Sequence, residues 1–145
     1  MYRVLNIARY VIQHYNEQKT SISNLKLQKV LYFIQAEFLV SKGTPCFSEN
    51  IEAWDFGPVV PDVYHTYKIY GSTNIPCLQY DALTPFFSQE DQSLVDNVME
   101  ACAHYSASAL VEITHHQAPW RDAYYKPGYN NVITLDSIKQ FFTEN

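Results

Sequence analysis

Val4, Ala8, Val11, Ile12 and Tyr15 recur at helical spacing, with Asn6, Arg9, Gln13 and Asn16 on the other side. The pattern predicts an amphipathic helix that the polar run 16–20 ends. A second helix is predicted from Ser21 or Ser23, either suited to cap it, to about Lys42, where Gly43 stops it. Leu27, Leu31, Ile34 and Phe38 make a stripe. Leu25, Val30, Tyr32, Phe33, Leu39 and Val40 widen it to most of the circumference. A helix apolar on nearly every side is packed on several sides, so this one is the expected centre of the fold.

The character then changes. Pro45, Gly57, Pro58 and Pro61 break helices, and Ile51-Glu52-Ala53-Trp54-Asp55-Phe56 alternates apolar and polar. This predicts one short strand closed by a Gly57-Pro58 turn. Val60, Val63, Tyr64 and Tyr67 give one face of a short helix that ends at Gly71, with Pro61 in its first turn. Residues 72–87 read as irregular, with a strand fragment near Ile75. Ser88, followed by Glu90 and Asp91, starts a helix whose stripe is Leu94, Val98, Ala101, Cys102 and Tyr105. Shorter helices follow, one from Ser106 or Ser108 carrying Leu110, Val111 and Ile113, one from Ala118 through Tyr124. After the turn at Lys126-Pro127-Gly128, Val132-Ile133-Thr134 reads as a strand, and Asp136 as the cap of a last helix bearing Ile138, Phe141 and Phe142. The expected fold is mainly α (α+β): a compact helical domain with a long central helix and a minimal two-stranded β element, one domain over residues 1–145.

Composition narrows the class. A chain of 145 residues buries enough surface to stand without a disulfide or metal staple. Ten Lys and Arg against fifteen Asp and Glu leave a net charge of −5. The basic residues are thinly spread, which argues against nucleic acid as the main partner and fits a basic protein ligand better. Three cysteines, Cys46, Cys77 and Cys102, show no metal or redox spacing and read as small apolar residues of a reducing compartment. No apolar run approaches the roughly 20 residues of a membrane span, and the start lacks the pattern of a signal peptide. The expectation is a cytoplasmic, soluble protein without membrane contact.

Candidate chemistry is sparse. His115 and His116 lie near Asp122, with His104 upstream, but adjacent helical side chains point about 100° apart and the zinc spacings are absent. No metal, cofactor or catalytic residue is therefore assigned. A hydrolase using His115 or His116 remains the remote alternative. Aromatic residues are 15% of the chain, twelve of them Tyr, and they concentrate in two segments, around Trp54 to Tyr70 and Trp120 to Tyr129. Such residues build cores and are also enriched at binding hot spots.

Three ordered motifs carry a resemblance. Leu25-Lys26-Leu27-Gln28-Lys29-Val30-Leu31-Tyr32-Phe33 comes first, then Glu52-Ala53-Trp54-Asp55-Phe56-Gly57-Pro58-Val59 followed by Tyr64, then Thr114-His115 with Pro119-Trp120. Together they resemble the Panacea domain, the SocA-like antitoxin family related to phage-associated GepA-like proteins, over roughly residues 4 to 142. Gln117 departs from the acidic residue usual there. The resemblance implies binding without catalysis: an antitoxin that neutralises a cognate protein toxin by contact. Its alternatives are a phage or mobile-element inhibitor of a host defence protein and an adaptor that delivers a partner to a protease. On this reading the expected partner-binding residues are Lys26, Lys29, Trp54, Phe56, Tyr64, Tyr67, His115 and Trp120, with Gly57, Pro58 and Pro119 structural.

Overall fold

A computed structural model describes residues 1–77 and 87–144. Helix α1 spans Val4–Glu17 and buries Ile7, Ala8, Val11 and Tyr15. Helix α2, Asn24–Lys42, begins under a Ser23 cap whose Oγ accepts from Lys26 N, and ends at Gly43 in the left-handed region. Of the two predicted caps, Ser23 therefore does the work, while Ser21 lies in the preceding turn at positive φ.

The predicted strand 51–56 is two strands. Strand β1 is Ile51–Trp54 and β2 is Gly57–Val59, antiparallel to it with Trp54 facing Gly57 and Ala53 facing Pro58. Asp55 and Phe56 make the turn, and the Gly57-Pro58 pair, read as a turn in the sequence, begins the second strand. Proline is tolerated there because β2 is an edge strand, where no ladder donor is required of it. Strand β3, Val132–Ile133, pairs with the other edge of β1. Among the described residues the sheet thus has three strands, ordered β2-β1-β3, where two were expected.

Helix α3, Pro61–Tyr67, runs into a 3-10 turn at Lys68–Tyr70. The fragment near Ile75 is a single antiparallel bridge, Ser23 with Asn74, supported by Ile75 N donating to Ile22 O at 2.8 Å. The rest of the predicted irregular stretch, residues 78–86, lies outside the described residues. Ser88 caps α4, Gln89–Ala103, and Ser106 caps α5, Ala107–His115. The stripe of α4 is Val95, Val98, Met99 and Cys102. Leu94 is half-buried, and Ala101 and Tyr105 are exposed. Helix α6 is Ala118–Tyr124 and α7 is Leu135–Glu144. Thr134, two residues earlier than the expected Asp136 cap, serves α7: its Oγ1 accepts from Ser137 N at 3.1 Å.

The architecture is mainly helical with this small antiparallel sheet, and α2 is its centre, packed against α1, α3, α4, α5, α7 and β2. Its apolar side chains fill the core, with Leu27, Val30, Leu31 and Ile34 fully buried. The polar residues between them are buried too, because they bind the backbone of what surrounds the helix.

Candidate functional site

The first motif is a ladder of side-chain bonds along α2. Asn24 Nδ2 donates to Tyr64 O, and Asn24 Oδ1 accepts from Gln28 Nε2. Gln28 Oε1 then accepts from Val60 N at 2.9 Å. One turn on, Tyr32 OH donates to Gln117 Oε1 at 2.8 Å. Gln35 closes the series by accepting from Cys46 N and donating to Phe47 O. All but the part-buried Asn24–Tyr64 bond satisfy buried groups, so the ladder fixes where loops and short elements sit on the helix.

Lys29 is the unusual rung. It is fully buried, and among the described residues no carboxylate pairs with it. Its Nζ donates to Pro58 O at 3.3 Å. Burial pulls the ammonium pKa down to about 7. The stem runs directly under Gly57, whose φ is +105°.

The second and third motifs meet at the hairpin turn. Trp120 Nε1 donates to Trp54 O at 2.8 Å, His115 Nε2 donates to Asp55 O at 2.9 Å, and Tyr124 OH donates to Asp55 Oδ1 at 2.6 Å. The three donors form one pile of rings, with centroids 4.2 Å apart for His115 and Trp120 and 4.4 Å for Trp120 and Tyr124. Short helices α5 and α6 thus grip the turn through the Trp54 and Asp55 carbonyls and the Asp55 carboxylate, and Pro119, buried in the first turn of α6, starts that helix.

Beyond this clamp, on the surface, lies a cleft of about 380 Å³. Its walls are Trp54, Asp55 and Phe56 from the hairpin, Tyr64 from α3, Lys68, Gly71 and Ser72 around the 3-10 turn, and Tyr129 and Asn130 from the α6–β3 loop. Phe56 and Tyr129 are 67% and 89% exposed. The Trp54 indole is set edge-on to Tyr64 at 5.0 Å, and its Nε1 donates to Glu52 Oε1 at 2.9 Å.

Three expected partner-binding residues, Trp54, Phe56 and Tyr64, are therefore brought together. The others are not in this cleft. Lys29, Tyr67 and Trp120 are buried at 0%, 6% and 4% exposure and offer no face to a partner, because one lies beneath the hairpin, one in the core and one inside the ring pile. Lys26 lies over the Tyr15 ring, 5.3 Å from its centroid, on the α1 side. His115 is half-buried and occupied by the clamp. Gly57 and Pro58 are buried. Sequence reasoning missed Asp55, Lys68 and Asn130 as cleft residues. Tyr129 carried a signal, an aromatic side chain directly after a Pro-Gly turn.

His115 and His116 diverge, the latter donating from Nδ1 to Glu112 O at 2.9 Å. Among the described residues no three His, Cys, Asp or Glu side chains converge as metal ligands. Burial pushes the thiols of Cys46 and Cys102 up to about 12 and about 11, which holds them protonated. Among the described residues no helix is long and apolar enough to cross a membrane. A second hollow of about 360 Å³, lined mainly by apolar residues such as Phe33, Val98, Leu110 and Phe142, opens between α2, α4, α5 and α7.

A family model described as antitoxin SocA-like, Panacea domain, matches residues 27–121, which take in the ladder from Gln28 onward, the hairpin, and His115 and Trp120 of the clamp. The chain is 37% identical over 124 residues to the Antitoxin SocA of Caulobacter vibrioides (strain NA1000 / CB15N). That match covers 79% of this chain and 66% of the relative, so the chain spans about two thirds of that protein's length. No solved structure matches.

Proposed function

The chain belongs to the antitoxin SocA-like, Panacea domain family, and we propose that it is an antitoxin acting in the cytoplasm, which neutralises a cognate protein toxin by direct contact through the aromatic cleft. The observation that carries this reading is the exposure of Phe56 and Tyr129 beside Trp54 and Tyr64, on a hairpin that two helices hold rigid. Rigid aromatic side chains give large contact area at little entropic cost, which suits a surface that must hold a protein. In this division of labour the family motifs build the support, and the cleft rim makes the contact.

The test is co-expression with the product of the adjacent gene. That product alone should arrest growth, this chain should restore it, and the two should co-purify. A neighbour that is harmless alone, or that stays harmful beside this chain, contradicts the proposal. Restored growth only in cells with an intact protease, with loss of the toxin from those cells, would replace neutralisation by occupancy with delivery for degradation.

A further inference from the structure

The cleft is not evenly apolar. Asp55 lines it at the hairpin turn, and Glu52 stands at the edge of the Trp54 indole. Tyr124 OH holds Oδ1 of Asp55 and thereby fixes the carboxylate, while among the described residues no hydrogen bond engages Oδ2. The rings of Trp54, Tyr64, Phe56 and Tyr129 line the same cleft, and the face of an aromatic ring carries partial negative charge. Among the described residues the single cation on the walls is Lys68, contributed by the 3-10 turn and not by the hairpin. A fixed carboxylate next to several aromatic faces is complementary to a planar cation, which stacks on a ring while forking its donors to the acid.

We propose that the hairpin end of this cleft receives an arginine side chain projecting from the bound protein. This rests on the contact reading above and specifies what the contact recognises. Arginine fits better than lysine because its guanidinium stacks as a plane and donates in pairs, and because it gives up its hydration more readily. Lys68 repels the same cation and sets the orientation, since the end of the segment nearest the 3-10 turn must then be neutral or acidic.

The test needs no knowledge of the toxin. A blocked tripeptide, acetyl-Gly-Arg-Gly-amide, is titrated into the full chain while the Trp54 and Trp120 indole N–H resonances are followed by NMR. The peptide carrying citrulline in place of arginine is the neutral isostere. The arginine peptide should move the Trp54 resonance and leave that of Trp120 in place. Asp55→Asn, which keeps the acceptor for Tyr124, should weaken binding about three- to tenfold, and Lys68→Gln should strengthen it. Tyr105→Ser, in the other hollow, should change nothing. Equal binding of the citrulline peptide, an unchanged affinity in Asp55→Asn, or no shift at Trp54 overturns the inference. Failure here with growth rescue intact removes only the arginine specificity, whereas peptide binding without rescue removes only the antitoxin reading.

Discussion

Lys29 and Gly57 share one space. A Cβ placed on Gly57 would stand 2.6 Å from Lys29 Cε and 2.9 Å from Thr114 Oγ1, inside any permitted contact. The backbone at 57 is also at φ +105°, a region that side chains with a Cβ resist. The hairpin rests so closely on α2 that only glycine fits at the point of contact.

Gly57→Ala should therefore destabilise the protein by about 2–4 kcal/mol, from backbone strain and displacement of the buried lysine stem. Thermal or urea unfolding measures it. A loss below about 1 kcal/mol would mean that the hairpin can lift from the helix at little cost.

Lys29 makes stability depend on pH. Its folded pKa is about 7, against about 10.5 for an ordinary lysine. Between those values the unfolded chain binds a proton that the folded chain lacks, so stability rises with pH across that window, by at most about 1.4 kcal/mol per pH unit from this group. Below pH 7 both states are protonated and the penalty of burying the charge is fully present. Lys29→Met removes the titration. Urea unfolding at pH 7 and pH 9 should show a rise in the unmodified chain that the variant lacks, and equal rises in both would contradict the assignment.

Tyr32 and Gln117 form a buried pair across 85 positions of sequence. Tyr32→Phe leaves the Gln117 amide oxygen without its donor and should cost about 1–3 kcal/mol. The double change Tyr32→Phe with Gln117→Leu should recover part of that loss, because neither partner is then left unpaired. A double-mutant cycle by urea unfolding measures the coupling, and purely additive losses would mean that the bond contributes nothing.

Trp120 is the middle ring of the pile and the donor to Trp54 O. Trp120→Ala should cost about 3–5 kcal/mol by the cavity it leaves. It should also loosen the cleft without touching it, seen as faster amide exchange at Asp55 and Phe56. Unchanged exchange at those two residues would uncouple the clamp from the contact face.

The helices were legible because their signals are local. Ser23, Ser88 and Ser106 announce starts, and Gly43 a stop, through chemistry that acts within one turn. The central role of α2 was legible in its all-round apolar pattern, and the family in three ordered motifs. The hairpin was not, because Gly57-Pro58 carries the same local preferences in a turn as at the start of an edge strand. Only its pairing with Ala53 and Trp54 and its seat on Lys29 decide between them. Burial of Lys29 was equally hidden, since lysine on a helix ordinarily faces water and its acceptor lies 29 positions away. In the site, the aromatic content of the cleft could be read from Trp54, Phe56 and Tyr64. Its acidic and basic walls, Asp55 and Lys68, depend on three separate elements converging.

The most direct test of the division between support and contact is growth rescue by the double variant Trp54→Ala with Phe56→Ala, compared with the unmodified chain at matched soluble levels and melting temperature. Rescue and co-purification of the toxin should both be lost while the fold is kept. Full rescue by that variant, at an unchanged melting temperature, would contradict the cleft as the contact face.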